Sequence, residues 1–272
     1  MPDVTVSGVR LVYETHGEGE PVVLVCGLSQ PAMSWPFSIL PHLVEAGYQV
    51  VTFDNRGVPP SDMPPAPYTV HDMAVDLAGL IDGLGLGSCR LVGYSLGSWI
   101  VETLAVERPD LVRAAAFVAG FNRSTQWELI EARAGRDLAA LDVIVPPTVD
   151  VVDLLKYLPN DKLQDDDVVA TWAALFGDQE PWCNPGRLGQ WEAAVAWTTD
   201  ATRVGRWTSI TAPCMIVSFE HDIDSPPRHA REAARELPDA RVVELPGLSH
   251  AGVFEDPQAV ARPLLEFFGT AT

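Results

Sequence analysis

Short apolar runs alternate with amphipathic stretches along the first third of the chain. Residues 9–14, 22–26, 48–54 and 90–94 are rich in β-branched and aromatic side chains and are bounded by glycine, proline or charged residues, the pattern of short strands. Helical periodicity appears between the later runs, and that rhythm predicts βαβ units in a mostly parallel sheet. The clearest helix follows Thr69. Its hydroxyl is placed to cap, Asp72 stands three residues on, and Met73, Leu77, Leu80, Ile81 and Leu84 recur on one face before Gly85 and Gly87 end the pattern.

After one more buried-strand candidate, residues 114–119, the pattern changes. Residues 122–208 read as helical segments rich in tryptophan and acids, broken by Pro146-Pro147, Pro159, Pro181 and Pro185. Strand rhythm resumes at 214–219 and 241–245, separated by a helix that begins near Pro227 and stops before Pro238. A last helix starts at Asp256-Pro257 and turns Val260, Leu264, Leu265 and Phe268 inward. The organisation predicted is a core domain of residues 1–121 and 209–272 interrupted by a helical subdomain, 122–208. A chain of 272 residues suits one main domain with such an insertion, and no repeat of solenoid period is present.

Charge narrows the partners. Lys and Arg number 18 against 37 Asp and Glu, for a formal net charge of −19, which repels phosphate backbones and anionic lipid headgroups. Neither nucleic acid nor a membrane is expected as a partner, and the densest acidic run, Asp165-Asp166-Asp167, reads as a solvated face. The first residues, Met1-Pro2-Asp3-Val4, lack the basic start and apolar core of a signal peptide, and no apolar stretch approaches the roughly 18 residues of a membrane span. A soluble cytoplasmic protein is expected. Cys26, Cys89, Cys183 and Cys214 show no Cys-x-x-Cys spacing, so reduced core thiols are expected rather than a disulfide frame or a zinc site.

Candidate chemistry concentrates at Gly93-Tyr94-Ser95-Leu96-Gly97, which follows the apolar run 90–92 and opens a helical pattern, 96–106, ahead of Pro109. That is the strand, sharp turn and helix in which Gly-x-Ser-x-Gly forms a nucleophile elbow. Glycine flanks the serine because a strained turn leaves no room for side chains. A serine hydroxyl needs a base within hydrogen-bond reach and a carboxylate to orient that base. Of six histidines, His250 lies beyond the last predicted strand, in Pro246-Gly247-Leu248-Ser249-His250, on the edge where loops converge. His16, His42, His71, His221 and His229 lie on a hairpin, on helices or beside a loop, where solvated or capping roles fit. The carboxylate belongs between serine and histidine in chain order, at a strand end, and both Asp222 and Asp224 qualify.

Over nearly its full length the chain resembles the α/β-hydrolases, in the branch that includes bacterial esterases, lactonases and cofactor-free haloperoxidases. The resemblance implies an eight-stranded, mostly parallel sheet flanked by helices, with a helical cap inserted after the sixth strand. Asp222 to Pro226 matches the family's Asp-x-x-x-Pro loop, which selects Asp222 over Asp224. Gly247 to His250 matches its Gly-x-x-His context, and Asp54-Asn55-Arg56-Gly57 matches a turn taken here as structural. Cys26-Gly27-Leu28 stands where the family has His-Gly-x, so the backbone N–H groups of Leu28 and Leu96 are implied as the oxyanion hole. The chain departs from the pattern at Cys26, at Phe219, where a glycine is common, and at Val58-Pro59-Pro60, which replaces a glycine-containing turn. An aspartate at the nucleophile would mark an epoxide or haloalkane hydrolase; Ser95 stands there instead.

The function implied is a serine hydrolase that cleaves a carboxylic ester, lactone or thioester of a bulky small molecule, apolar or aromatic, through an acyl-enzyme. Ser95 serves as nucleophile, His250 as base and Asp222 as its orienting carboxylate. No cofactor and no metal is implied; Gly83 to Gly87 is a helix stop, not a phosphate cradle. Six of the eight tryptophans, Trp127, Trp172, Trp182, Trp191, Trp197 and Trp207, fall in the insertion. Trp127, Trp172, Trp191 and Trp197, with Cys26, are the candidate pocket lining, against the plainer alternative that the rings fill the subdomain's own core. A non-hydrolytic biosynthetic enzyme on the same fold is the first alternative, and a ligand-binding receptor the second.

Overall fold

A computed structural model describes residues 1–141, 143–177 and 184–270. Its eight strands are β1 (Asp3–Val6), β2 (Val9–His16), β3 (Glu20–Val25), β4 (Tyr48–Phe53), β5 (Cys89–Tyr94), β6 (Val112–Val118), β7 (Cys214–Phe219) and β8 (Ala240–Leu245). They form one sheet in the order β1-β2-β4-β3-β5-β6-β7-β8. The β1–β2 and β2–β4 pairs are antiparallel and the remaining pairs parallel. Seven strands follow the apolar runs of the sequence. β1 does not: it is four residues long and largely exposed, with Asp3 and Thr5 alternating with Val4 and Val6, so it carries no continuous apolar signal. It forms because it completes an edge hairpin with β2.

Along the described residues the helices are α1 (Leu40–Glu45), α2 (Val70–Gly83), α3 (Leu96–Glu107), α4 (Gln126–Ala139), α5 (Pro147–Leu155), α6 (Asn160–Leu163), α7 (Asp166–Gly177), α8 (Asn184–Thr199), α9 (Pro227–Ala234), α10 (Gly252–Glu255) and α11 (Pro257–Thr270). Strand side chains alternate between the two faces of the sheet. Val23, Val25 and Leu91 pack with α2, α3 and α9 on one face, while Val22, Leu24 and Val92 pack with α1 and α11 on the other. The predicted cap of α2 is a reciprocal box: the Asp72 N–H donates to Thr69 Oγ1 at 3.2 Å, and the Thr69 N–H donates to Asp72 Oδ2 at 2.7 Å.

The chain leaves β3 toward β4 on one side and later leaves β5 toward β6 on the other. That reversal opens a crevice at the carboxyl ends of β3 and β5, the place where open parallel sheets bind ligands. Between β6 and β7 the described residues contribute only helices, α4 to α8, and a 3-10 turn at Arg203–Ser209. Pro181, Trp182 and Cys183 lie outside the described residues. No helix among the described residues is long and apolar enough to cross a membrane.

One buried cation ties this helical segment to the core. The Arg203 guanidinium donates to the Asn122 carbonyl at 2.7 Å and to Ser124 Oγ at 3.0 Å, and lies 3.5 Å from the Glu102 carboxylate on α3. Glu102 also accepts the Trp207 indole N–H at 2.6 Å. The Trp197 ring packs 4.8 Å from the same guanidinium. The start and the end of the segment are therefore held by one side chain on one helix. Removing it strands a buried carboxylate, so Arg203→Met is expected to lower unfolding free energy by about 3 kcal/mol. Urea denaturation followed by tryptophan fluorescence checks this; an unchanged midpoint would show that the pair contributes nothing.

Candidate active site

Ser95 occupies the single residue between β5 and α3, with φ 53° and ψ −121°. A positive φ at a non-glycine residue costs about 1–3 kcal/mol and persists only where its surroundings fix it. Here the Ser95 N–H donates to the Val118 carbonyl at 2.9 Å, and the Ser98 N–H returns to the Ser95 carbonyl at 2.8 Å. The flanking glycines are steric necessities. A Cβ on Gly93 would lie 2.3 Å from the Gly97 carbonyl oxygen, and one on Gly97 would lie 2.1 Å from that of Val25.

His250 follows β8, in a loop whose Leu248 carbonyl accepts the His221 N–H at 2.8 Å. Its Nε2 stands 3.0 Å from Ser95 Oγ, and its Nδ1 stands 3.0 Å from both carboxylate oxygens of Asp222. Asp222 lies just past β7 and is itself held, because its Oδ1 accepts the N–H groups of Asp224 at 2.8 Å and Ser225 at 2.9 Å. Three strand ends thus bring Ser95, Asp222 and His250 into one chain of hydrogen bonds. Asp224, the other carboxylate open to the sequence reading, takes a different partner: it accepts the Trp127 indole N–H and borders the cavity beside Ser95.

The turn before that cavity is braced from below. Asp54 accepts the Ala32 N–H at 2.7 Å, Asn55 Nδ2 donates to the Cys26 carbonyl at 3.1 Å, and Arg56 makes a buried two-pronged pair with Asp76. On either side of Leu28 the backbone donors are engaged: Gly27 N–H by Gln30 Oε1 at 2.7 Å, and Ser29 N–H by Gln190 Oε1 at 2.6 Å. Leu96 is the first residue of α3, where a helix N–H has no intrahelical acceptor. Leu28 and Leu96 both border the cavity with Ser95 and His250.

That cavity has a volume of about 70 Å³, room for a few waters. Its lining combines apolar side chains, among them Leu28, Leu96, Trp99, Ala132, Trp191 and Ala194, with the polar Glu128, Glu131, Asp224 and Tyr157. Burial pushes the Asp224 carboxyl up to about 6, against the pull of His250. It pushes Glu128 up to about 7, although the Thr125 N–H and Asn122 donate to that carboxylate. For His250 burial opposes the charge, yet the charge and hydrogen bond of Asp222, then the charges of Asp224 and Glu131, outweigh it and raise the imidazole to about 9.

The candidate pocket lining needs correction. Trp191 borders the cavity; Cys26, Trp127, Trp172 and Trp197 do not. Cys26 is fully buried at the end of β3, where its Sγ accepts the Trp35 indole N–H at 3.1 Å and burial pushes the thiol well up. Trp127 is 44% exposed and reaches the site only through its bond to Asp224. Trp197 stacks behind the wall on Trp99, centroids 5.9 Å apart, and Trp172 is half-buried on α7. Trp127 is committed to Asp224, and Trp197 to Trp99 and Arg203, so fewer of these rings line the cavity than their number suggests. Trp99 had a readable signal, since it lies one helical turn beyond Ser95 and shares its face. Glu128, Glu131 and Tyr157 had none, because their approach depends on how α4 and α5 pack. Among the described residues no group of three His, Cys, Asp or Glu side chains could hold a metal ion.

Residues 22–262 match the model of the alpha/beta hydrolase family. A Mycobacterium tuberculosis protein with the provisional name non-heme bromoperoxidase BpoC is 32% identical over 263 residues, covering 96% of this chain and 98% of the relative. Its crystal structure aligns with a TM-score of 0.87 at 31% identity, over 96% of each chain. Rhodomycin D methylesterase DnrP of Streptomyces peucetius is 25% identical over 289 residues, covering 97% of this chain and 96% of the relative. The enol-lactonase of Burkholderia xenovorans LB400 shares the fold, with a TM-score of 0.81 at 23% identity over 98% of this chain and all of that one.

The field at His250 has a direct consequence. Asp224→Asn removes a negative charge that favours the imidazolium, so the imidazole should titrate at lower pH than in the wild type, toward its ordinary range. NMR titration of the His250 ring reads this without any substrate; an unchanged or higher midpoint would show that Asp224 does not act on it.

Proposed function

Since the chain belongs to the alpha/beta hydrolase family and is an enzyme of that type, we propose that it is a serine hydrolase which cleaves a carboxylic ester, lactone or thioester through an acyl-enzyme on Ser95. The observation that carries this reading is the position of His250, within 3.0 Å of both Ser95 Oγ and the Asp222 carboxylate. A hydroxyl alone is too weak a nucleophile near neutral pH. Beside a neutral Nε2 it can lose its proton as it attacks the carbonyl carbon, and Asp222 holds the proton-bearing Nδ1 side and stabilises the imidazolium that forms.

The tetrahedral oxyanion then falls to the N–H groups of Leu28 and Leu96, each worth about 10²–10³ in rate by analogy with measured oxyanion donors. His250 returns its proton to the leaving alcohol or thiol. A water enters, gives its proton to the same imidazole and releases the acid from Ser95, which restores the resting state. Water and substrate thus meet one base in turn, and no other proton carrier is required.

The lining of the cavity supports a substrate class. Its apolar side chains, Trp99 and Trp191 among them, suit an aliphatic or aromatic group next to the scissile carbonyl. Asp224, Glu131 and Glu128 in the same lining disfavour a carboxylate or phosphate there. The substrate is therefore a neutral or cationic small molecule with an apolar or aromatic face. The named esterase and lactonase activities of the relatives support the reaction class.

Fluorophosphonate labelling tests the reading without a known substrate. Wild type should gain one adduct on Ser95 by intact mass, and Ser95→Ala none. Asp222→Asn should lose about 10⁴-fold in kcat on any ester turned over, because the imidazole loses its orienting carboxylate. A folded wild type that stays unlabelled would overturn the proposal. The base must be neutral to accept the serine proton, so turnover should fall as pH drops through the raised His250 value of about 9. A rate that is flat from pH 6 to 10, by about one unit steps, would separate His250 from the rate-limiting proton transfer.

A further inference from the structure

Two hydrogen bonds fix the His250 ring in its own plane, one to Asp222 and one to Ser95. They resist tilting of the ring only weakly, because hydrogen bonds tolerate a broad range of angles at a carboxylate or hydroxyl oxygen. The faces of the ring must be held by packing. Tyr94 supplies one contact from the core, its ring centroid 5.6 Å from that of His250 and its hydroxyl donating to the His250 carbonyl at 3.0 Å. A second ring comes closer, at 4.9 Å and an interplanar angle of 37°, and it belongs to Tyr157 in the helical insertion.

Tyr157 lies just beyond α5, and its position is not left to chance. Its hydroxyl donates to Glu131 Oε1 at 2.6 Å, and the neighbouring Lys156 Nζ donates to the same oxygen at 2.6 Å. Glu131 stands on α4, so one carboxylate locks the end of α5 to α4 and sets where the phenol ring lies. The ring also borders the cavity beside Ser95. Cutting the side chain back to a methyl group would therefore enlarge that cavity.

We propose that Tyr157 is a positioning and specificity-determining residue: its ring, carried by the helical insertion, holds the His250 imidazole on Ser95 and closes the substrate cavity against long acyl groups. The inference rests on the serine-hydrolase reading above. It assigns the insertion a direct part in the reaction through one contact, and it makes a short acyl group the preferred one. The Tyr157 hydroxyl anchors the side chain to Glu131, and the ring makes the contact with His250.

Labelling kinetics with two fluorophosphonates, one with an ethyl and one with a dodecyl chain, separate the two roles. Tyr157→Phe keeps the ring but gives up its bond to Glu131, so it should recover most of the ethyl-probe rate that the alanine variant loses, with the dodecyl-to-ethyl ratio near that of wild type. Tyr157→Ala should lower the maximal rate with the ethyl probe by at least about tenfold, as a loosened base would. In the same variant the apparent affinity for the dodecyl probe should rise, so that the dodecyl-to-ethyl ratio of second-order rates increases by about tenfold or more. A general loss of packing would lower both rates and leave that ratio alone. Melting curves establish that each variant is folded, and Tyr157→Leu, which fills more of the gap without a ring, carries the same expectation if the alanine variant does not fold. A wild type labelled by the ethyl probe, with a leucine or alanine variant unchanged in rate and ratio, overturns this inference alone. A wild type labelled by neither probe overturns the serine-hydrolase reading and this inference with it.

Discussion

The hydrogen bonds of one imidazole join three loops that the chain reaches at widely separated points. His250 meets Ser95 across 155 positions of sequence and Asp222 across 28, and the meeting depends on β5, β7 and β8 ending on the same edge of the sheet. Parallel pairing of β5 with β6, β6 with β7 and β7 with β8 places those ends side by side. The strained φ of Ser95 lifts its hydroxyl above that edge, and the close approach of Gly97 to the Val25 carbonyl lets the turn sit against β3. Shift one strand by a residue and every inward side chain changes face; the contact would be lost with it.

What surrounds that contact is a compromise between apolar burial and negative charge. The insertion brings Glu128 and Glu131 on α4 toward a cavity that already holds Asp224. The charges of Asp224 and Glu131 add to that of Asp222, and against burial the imidazole holds its proton more tightly. Lys156 offsets Glu131 at 2.6 Å and so limits the accumulated field. The insertion is therefore no passive lid: it shapes the space beside Ser95, sets the charge that an arriving molecule meets and packs a ring on the histidine.

Local rules made much of this legible in the sequence. The elbow is written in five residues, since the two glycines and the strand-to-helix change admit few other readings. The Thr69–Asp72 cap and the inward faces of α2 and α11 follow from spacing alone. His250 could be singled out by its place after the last strand, whereas choosing Asp222 over Asp224 drew on the family resemblance. β1 was illegible because an exposed four-residue edge strand has no apolar run. The tryptophans misled for a different reason. Composition shows that large rings are present, but not that Trp197 is spent on Arg203 and Trp99, or that Trp127 is bonded to Asp224. Tyr157 was invisible because its contact with His250 depends on the packing of α4 and α5, which no periodicity encodes.

Under the proposed function, Ser95 carries an acyl group between two halves of a hydrolysis. Rapid acid quench of the wild type with p-nitrophenyl acetate in ¹⁸O-labelled water, followed by intact-mass and peptide mass spectrometry, reads that step directly. The account predicts an acetyl adduct on the peptide containing Ser95, at a level that decays as acetate bearing one labelled oxygen appears. Turnover with no adduct on that peptide, or a product of the same mass as the substrate, would contradict it.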